Sequence, residues 1–171
     1  MEMTLTLSLT GTRPMLLHNG RLANPLDPHT RAIGAIAKKR GKTDKDYAEL
    51  ASLEARGAMY ETEDGMLGIP IVNVWRSIQI AAKAFKLGKA VEQALVASPD
   101  VVPLLIEGKA IACDSYLSEA SRIHYVSVVV NGRRTMRARP QVAAGWQATV
   151  AFTLLTDVLE PNKLVPVFER A

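Results

Sequence analysis

The sequence predicts an α+β domain, and three observations carry that expectation. The chain opens on a strict alternation, "MTLTLSLTGT"; its middle holds a well-patterned amphipathic segment, "VWRSIQIAAKAFKLG"; its last third is a run of β-rich stretches, "RIHYVSVVV", "RRTMRARPQV" and "WQATVAFTLL". A strand, then helices, then clustered strands is the order of an antiparallel sheet with helices packed largely on one side. A length of 171 residues with 48% apolar content suits a single unit, 1–171, with a sizeable core.

In the opening strand Leu5, Leu7 and Leu9 fall on one face and threonine or serine on the other, the period-two signature of a half-buried strand. The stretch "MLLHNGRLANPLDP" is punctuated by Asn-Gly, Asn-Pro and Asp-Pro and reads as an excursion. Helical patterning resumes at Pro28 with Ile33 and Ile36 and runs into the basic "KKRGK". Asp44 is placed to cap a second helix on which Tyr47, Leu50 and Leu53 form the apolar stripe and which Gly57 ends. Residues 12–56 are therefore a mostly helical insertion after the first strand.

A hairpin is expected around Glu63-Asp64-Gly65, its second strand closing at Pro70. Asn73 then caps the best helix, with Val74, Trp75, Ile78, Ala82 and Phe85 inward and Arg76, Lys83 and Lys86 toward another side. Asn131-Gly132 is the strongest hairpin signal, because both positions of such a turn need positive φ. The chain closes on "VLEPNKLVPVFERA", the pattern of the opening turns of another helix, so the expectation is of a domain cut short at its C-terminal end.

Charge is unevenly spread. Lys and Arg number 21 against 17 Asp and Glu, a net +4, yet acids gather at Asp44, Asp46, Glu49, Glu54, Glu61, Glu63 and Asp64. From Ser121 to Thr156 there is no acid, and all five charged side chains are arginine. In a regular strand Arg133, Thr135, Arg137 and Arg139 share one face, and Arg134, Met136 and Ala138 the other. Arginines aligned on one face repel unless phosphates or acids lie between them. The first case makes the strand a backbone grip for nucleic acid, with Arg133, Arg134, Arg137 and Arg139 on phosphates. Lys38, Lys39 and Arg40 form a second basic cluster, and Lys83 and Lys86 recur along the long helix as a further phosphate track. The second case is a solvated hairpin whose arginines meet acids of the insertion or of a partner protein.

Other chemistries find less support. One cysteine, Cys113, excludes an intramolecular disulfide framework and a multi-cysteine zinc site, and reads as a small core residue in a reducing cytoplasm. His18, His29 and His124 are candidate acid–base groups for a hydrolase, but no acid lies close in sequence to His18 or His124 to orient them. Asp27 with His29 and the acids of "ETEDG" lack regular metal-ligand spacing, and "GKA" lacks the lead-in of a phosphate loop. No metal and no cofactor is expected. No segment has the basic flank of a secretion signal or the roughly 20 apolar residues of a membrane span. Aromatic residues make up only 5%, which favours electrostatic gripping over stacking platforms, and Trp75 and Phe85 read as core.

The stretch "GMLGIPIVNVWRSIQIAAKAF" resembles the strand, Ile-Pro, short loop and helix element of the RAMP superfamily, the RRM-like proteins that include backbone subunits of CRISPR effector complexes. "NGRRTMRARPQVAAGWQATVAF", with "TGTRPMLLHNGRLANPLDP" and "KKRGKTDKDYAELASLE", resembles a group of phage and prophage proteins of no settled activity. The resemblance implies a modified ferredoxin-like, RRM-like fold and a non-enzymatic grip on single-stranded DNA or RNA. It further implies subunits stacked along the strand as a homo-oligomer or filament, in a bacterial host cytoplasm if phage-encoded. The chain departs from the RAMP pattern at Ile71-Val72-Asn73, where glycine and serines are typical, and has no Gly-rich loop near its end, so contacts from that loop are not carried over.

Overall fold

A computed structural model describes residues 1–130 and 132–171. Strand β1 (Glu2–Thr10) alternates exposed and half-buried positions along its whole length, as its Thr/Leu pattern requires. The excursion contains a two-residue strand, β2 (Met15–Leu16), and a 3-10 turn (Gly20–Ala23) capped by the Asn19 side chain. Helix α1 (Pro28–Ala37) has proline at its first position and Asp27 as N-cap, the carboxylate accepting from the His29 and Thr30 amides. Helix α2 (Asp44–Ala58) follows.

Strands β3 (Tyr60–Glu61) and β4 (Leu67–Pro70) form the expected hairpin, and Pro70 passes directly into helix α3 (Ile71–Ala84). Then come α4 (Gly88–Ala94), β5 (Leu95–Ala97), β6 (Val101–Pro103), β7 (Leu105–Ile106), β8 (Lys109–Ala110) and the single turn α5 (Cys113–Tyr116). The last third holds β9 (Ile123–Val130), β10 (Arg133–Val142) and β11 (Gln147–Leu155), and a 3-10 turn (Pro161–Leu164) leads into α6 (Val165–Arg170).

The expected single sheet is in fact divided into three. β11 is central to the largest, paired along its length with β1 and, on its other edge, with β5 and β7; β8 extends β7. β4 lies between β3 and β6, and β10 between β2 and β9. All pairings are antiparallel. The main core lies where inward residues of β11 (Val150, Phe152, Leu154) and β4 (Leu67, Ile69) meet Ile78 and Ala82 of α3 and Leu164 and Val167 near the end of the chain.

Four local expectations are corrected. Asn73 does not cap α3: the helix starts at Ile71, because Pro70 already has helix-compatible φ (−70°) and the Ile71 amide is satisfied by the Asp100 carbonyl (2.9 Å). Asp44 is not the cap of α2: Thr43 is, in a capping box with Asp46. Gly57 does not end α2; it is a helical residue whose missing Cβ makes room for Leu22, 2.7 Å from where that atom would stand. Phe85 is not core but 40% exposed, at the C-cap of α3.

The buried face of α2 also differs from the expected Tyr47, Leu50 and Leu53 stripe. It consists of Ala51, Glu54, Ala55 and Ala58, while Tyr47 is exposed and Leu50 and Leu53 are half-buried. Small side chains let α2 lie close against β10 and the 3-10 turn.

Candidate functional site

The expected arginine strand is β10, and its turn is partly described: Gly132 has φ +75°, the left-handed conformation expected of it, whereas Asn131 lies outside the described residues. Arg133 faces Val130, Arg137 faces Val126 and Arg139 faces His124 across the β9–β10 pair. Directly opposed residues share a face, so Arg133, Arg137 and Arg139 stand with Val126, Val128, Val130 and His124. That face looks toward the helical insertion and closes one wall of a cleft of about 560 Å³. The opposite wall comes from Leu22, Thr30, Ile33 and Gly34, and Glu54 and Ala58 of α2 lie between.

The three arginines of this face have different fates. Arg137 is engaged by Glu54, whose carboxylate accepts from the guanidinium with one oxygen and from the Ala138 amide (2.9 Å) with the other. Arg139 is half-buried beside the cleft and makes no hydrogen bond or ion pair among the described residues. Arg133, near the hairpin tip, is exposed and likewise unpaired among the described residues, as is Arg134 on the other face.

The basic loop after α1 belongs to the same end of the molecule as the tip. The Ala58 carbonyl accepts from the Asn19 amide and the Pro140 carbonyl from the Leu17 amide, both at 3.0 Å, so the C-terminal end of α2 sits at the base of the hairpin. From Glu54 back to Asp46 is about 12 Å of helix, and from Arg137 back to Arg133 about 13 Å of strand. Because α2 packs along β10, its first turn lies toward the tip. Lys39 is tied to that turn by an ion pair to Asp46 (2.6 Å), which brings Lys38 and Arg40, both exposed, with it. The acid Asp44 stands exposed at the same end.

Lys83 and Lys86 are not gathered into this region. They are exposed at the end of α3, which packs against α4, α6, β4 and β5, whereas the hairpin packs against α2 and β2. Lys86 has a structural position: with φ +60° it is the left-handed residue that closes α3, and the Leu87 amide returns to the Ala82 carbonyl (2.9 Å).

Of the histidines, His18 is exposed beside the cleft. Partial burial, then Arg139, hold its pKa below the usual imidazole value. Burial first and then Arg21 do the same for His29. Among the described residues no hydrogen bond orients any of the three imidazoles. Cys113 is buried in the core, and burial raises its thiol to about 11. Among the described residues no group of three or more His, Cys, Asp or Glu side chains is placed to hold a metal ion, and no helix is long and apolar enough to cross a membrane.

The Arg137–Glu54 pair bears out, for Arg137, the expectation that hairpin arginines meet acids of the insertion, but sequence reasoning did not single out Glu54 among those acids and missed the cleft. The signal for Glu54 was present: it falls in register with Ala51, Ala55 and Ala58, an acid on a face of small apolar residues. Also missed was the outer face of the hairpin, where Tyr125 (55%), Val129 (68%) and Met136 (57%) are exposed together. No family model, no curated protein and no solved structure matches the chain.

Proposed function

We propose that this chain is a non-enzymatic protein that grips the phosphate backbone of single-stranded nucleic acid at the tip of the β9–β10 hairpin. The observation that supports this reading is the exposed pair Arg133 and Arg134, without a partner among the described residues and at the same end as the exposed Lys38 and Arg40. Planar guanidinium groups on a narrow hairpin suit phosphates spaced along a flexible strand. Arg137 is neutralised by Glu54 and serves the fold, so the grip is smaller than the sequence alone implied. Arg139, Lys39, Lys83 and Lys86 are accessory at most in this reading.

The finer fold kinship belongs to the same proposal. A long central β11 paired with the first strand, with α3 following a strand–Ile-Pro step, is what supports a modified ferredoxin-like relationship. Assembly along a strand is supported by the exposed Tyr125, Val129 and Met136, which offer an apolar contact beside the basic tip. That same patch favours a second reading, an assembly module whose tip arginines meet an acidic protein surface.

Fluorescence anisotropy of labelled single-stranded DNA, single-stranded RNA and duplex at two salt concentrations tests the proposal. The expected result is salt-sensitive binding to single strands with little sequence preference. Replacing Arg133 and Arg134 together with alanine should lower the slope of log affinity against log salt by about 0.7 for each phosphate that is no longer neutralised. No binding at low salt would reject the reading in favour of the assembly module.

A further inference from the structure

We propose that the cleft between the helical insertion and the β9–β10 hairpin binds a small organic anion: an apolar body, aromatic or aliphatic, carrying one carboxylate or phosphate group. Its volume, about 560 Å³, lies within the roughly 300–1,000 Å³ common for small-molecule sites. Leu22 and Ile33 face Val128 and Val130 across it, so the walls are aliphatic. Charge inside is limited and directional. Glu54 and Arg137 satisfy each other, which leaves Arg139 as the one lysine or arginine of the cleft lining without a partner among the described residues. His18 also lines the cleft, and partial burial and then Arg139 disfavour its charged form. The cleft thus presents one unmatched positive charge at the end of an apolar slot, which defines the ligand's chemistry.

Gly34 supplies a second, independent observation. It lies in the middle of α1, where glycine is second only to proline in disfavouring helix. No close neighbour demands it: a Cβ built there would meet nothing within 4 Å. Gly34 lines the cleft, and the space beside it is open. Gly20, also on the lining, has the same open surroundings. A glycine that no close neighbour requires thus stands in the wall of the cleft.

The anionic group of such a ligand has two sources, a carboxylate or a phosphate monoester, and the test separates them. The intact chain is titrated with 8-anilinonaphthalene-1-sulfonate, an aromatic anion whose fluorescence rises in apolar surroundings. Decanoate and decyl phosphate are then added as competitors. Saturable one-to-one binding is expected, displaced more strongly by decanoate if the site takes a carboxylate and by decyl phosphate if it takes a phosphate monoester; displacement by neither would overturn the proposal. Gly34→Leu adds bulk to the cleft wall at a position where a Cβ meets nothing within 4 Å, and should abolish binding with the thermal unfolding midpoint held or raised. Arg139→Gln, on a half-buried surface position, should weaken the anionic probe at least tenfold and leave the uncharged N-phenyl-1-naphthylamine unaffected. Probe affinity unchanged in either variant would overturn the proposal, because the probe would then be reading the Tyr125, Val129 and Met136 face. Since the readout uses no oligonucleotide, the result stands apart from the outcome of the anisotropy titrations.

Discussion

The Glu54 carboxylate spans from α2 to β10, with one oxygen on the Arg137 guanidinium and the other 2.9 Å from the Ala138 amide. Its side chain is 7% exposed and that of Arg137 39%, so removing Glu54 strands a buried amide and a partly buried cation. Breaking a buried pair from one side costs about 3–5 kcal/mol, and Arg137 can turn partly to water. Glu54→Ala should therefore cost about 3 kcal/mol, read as a lower urea midpoint. Glu54→Gln keeps an acceptor for the Ala138 amide and should recover part of the loss. Equal midpoints for wild type and Glu54→Ala would mean that the bridge does not hold the insertion to the hairpin.

The same bridge shows what the sequence could and could not reveal. β1, α1, the β3–β4 hairpin and β9 to β11 were legible because each is set by local signals: alternation, a proline at a helix start, and turns with glycine at positive φ. The division into three sheets was not legible, since period-two alternation says which face of a strand is buried and nothing about which strand lies beside it. On α2 the larger side chains Tyr47, Leu50 and Leu53 gave the stronger hydrophobic pattern, yet the close approach to β10 selected the alanine face. Arg137 looked free for phosphate because its acid is 83 residues away in sequence. The exposed Arg133 and Arg134 were legible, because they directly follow the Asn-Gly signal at the start of β10.

Lys86 closes α3 in a conformation that suits glycine. Its φ is +60°, and its own amide returns to the Lys83 carbonyl (3.1 Å) while the Leu87 amide reaches Ala82. The left-handed region costs a side-chain-bearing residue roughly 1 kcal/mol. Lys86→Gly should raise stability by about 0.5–1 kcal/mol, and Lys86→Ala should not. Both remove the same charge. Oligonucleotide binding that falls equally in the two variants would give Lys86 a part in the phosphate contacts, whereas unchanged binding in both restricts it to capping.

Asp46 makes the first turn of α2 sensitive to acid. Its carboxylate is held well below the usual range, foremost by the Lys39 ammonium (2.6 Å) and then by the Thr43 amide and hydroxyl (both 2.8 Å). A carboxyl whose folded pKa lies below its unfolded value of about 3.9 contributes fully above that value. The contribution is lost as pH falls through the folded pKa. Asp46→Asn should thus be less stable than wild type at pH 7, with the gap narrowing below about pH 4. Urea midpoints at pH values of about 7, 4 and 2.5 measure it, and a gap that stays constant across the series would rule out an ionic origin.

Trp146 depends on Gly11 in a way that one added carbon exposes. The two residues meet where β1 ends and β11 begins, with the Gly11 amide donating to the Trp146 carbonyl (2.8 Å) and the indole lying over the glycine. A Cβ on Gly11 would stand 2.0 Å from the indole Nε1, far inside contact distance. The ring must swing away, giving up its hydrogen bond to the Arg13 carbonyl (3.3 Å) and its cover over the core edge. Overpacking of this kind costs about 1–3 kcal/mol, and Gly11→Ala should fall in that range. In a Trp75→Phe background the remaining indole reports the movement directly: its emission should shift to the red in Gly11→Ala as the ring meets water. Gly11→Ala made together with Trp146→Ala should cost little beyond Trp146→Ala alone, because the clashing partner is gone. Full additivity of the two changes would show instead that Gly11 is required by the backbone rather than by the indole.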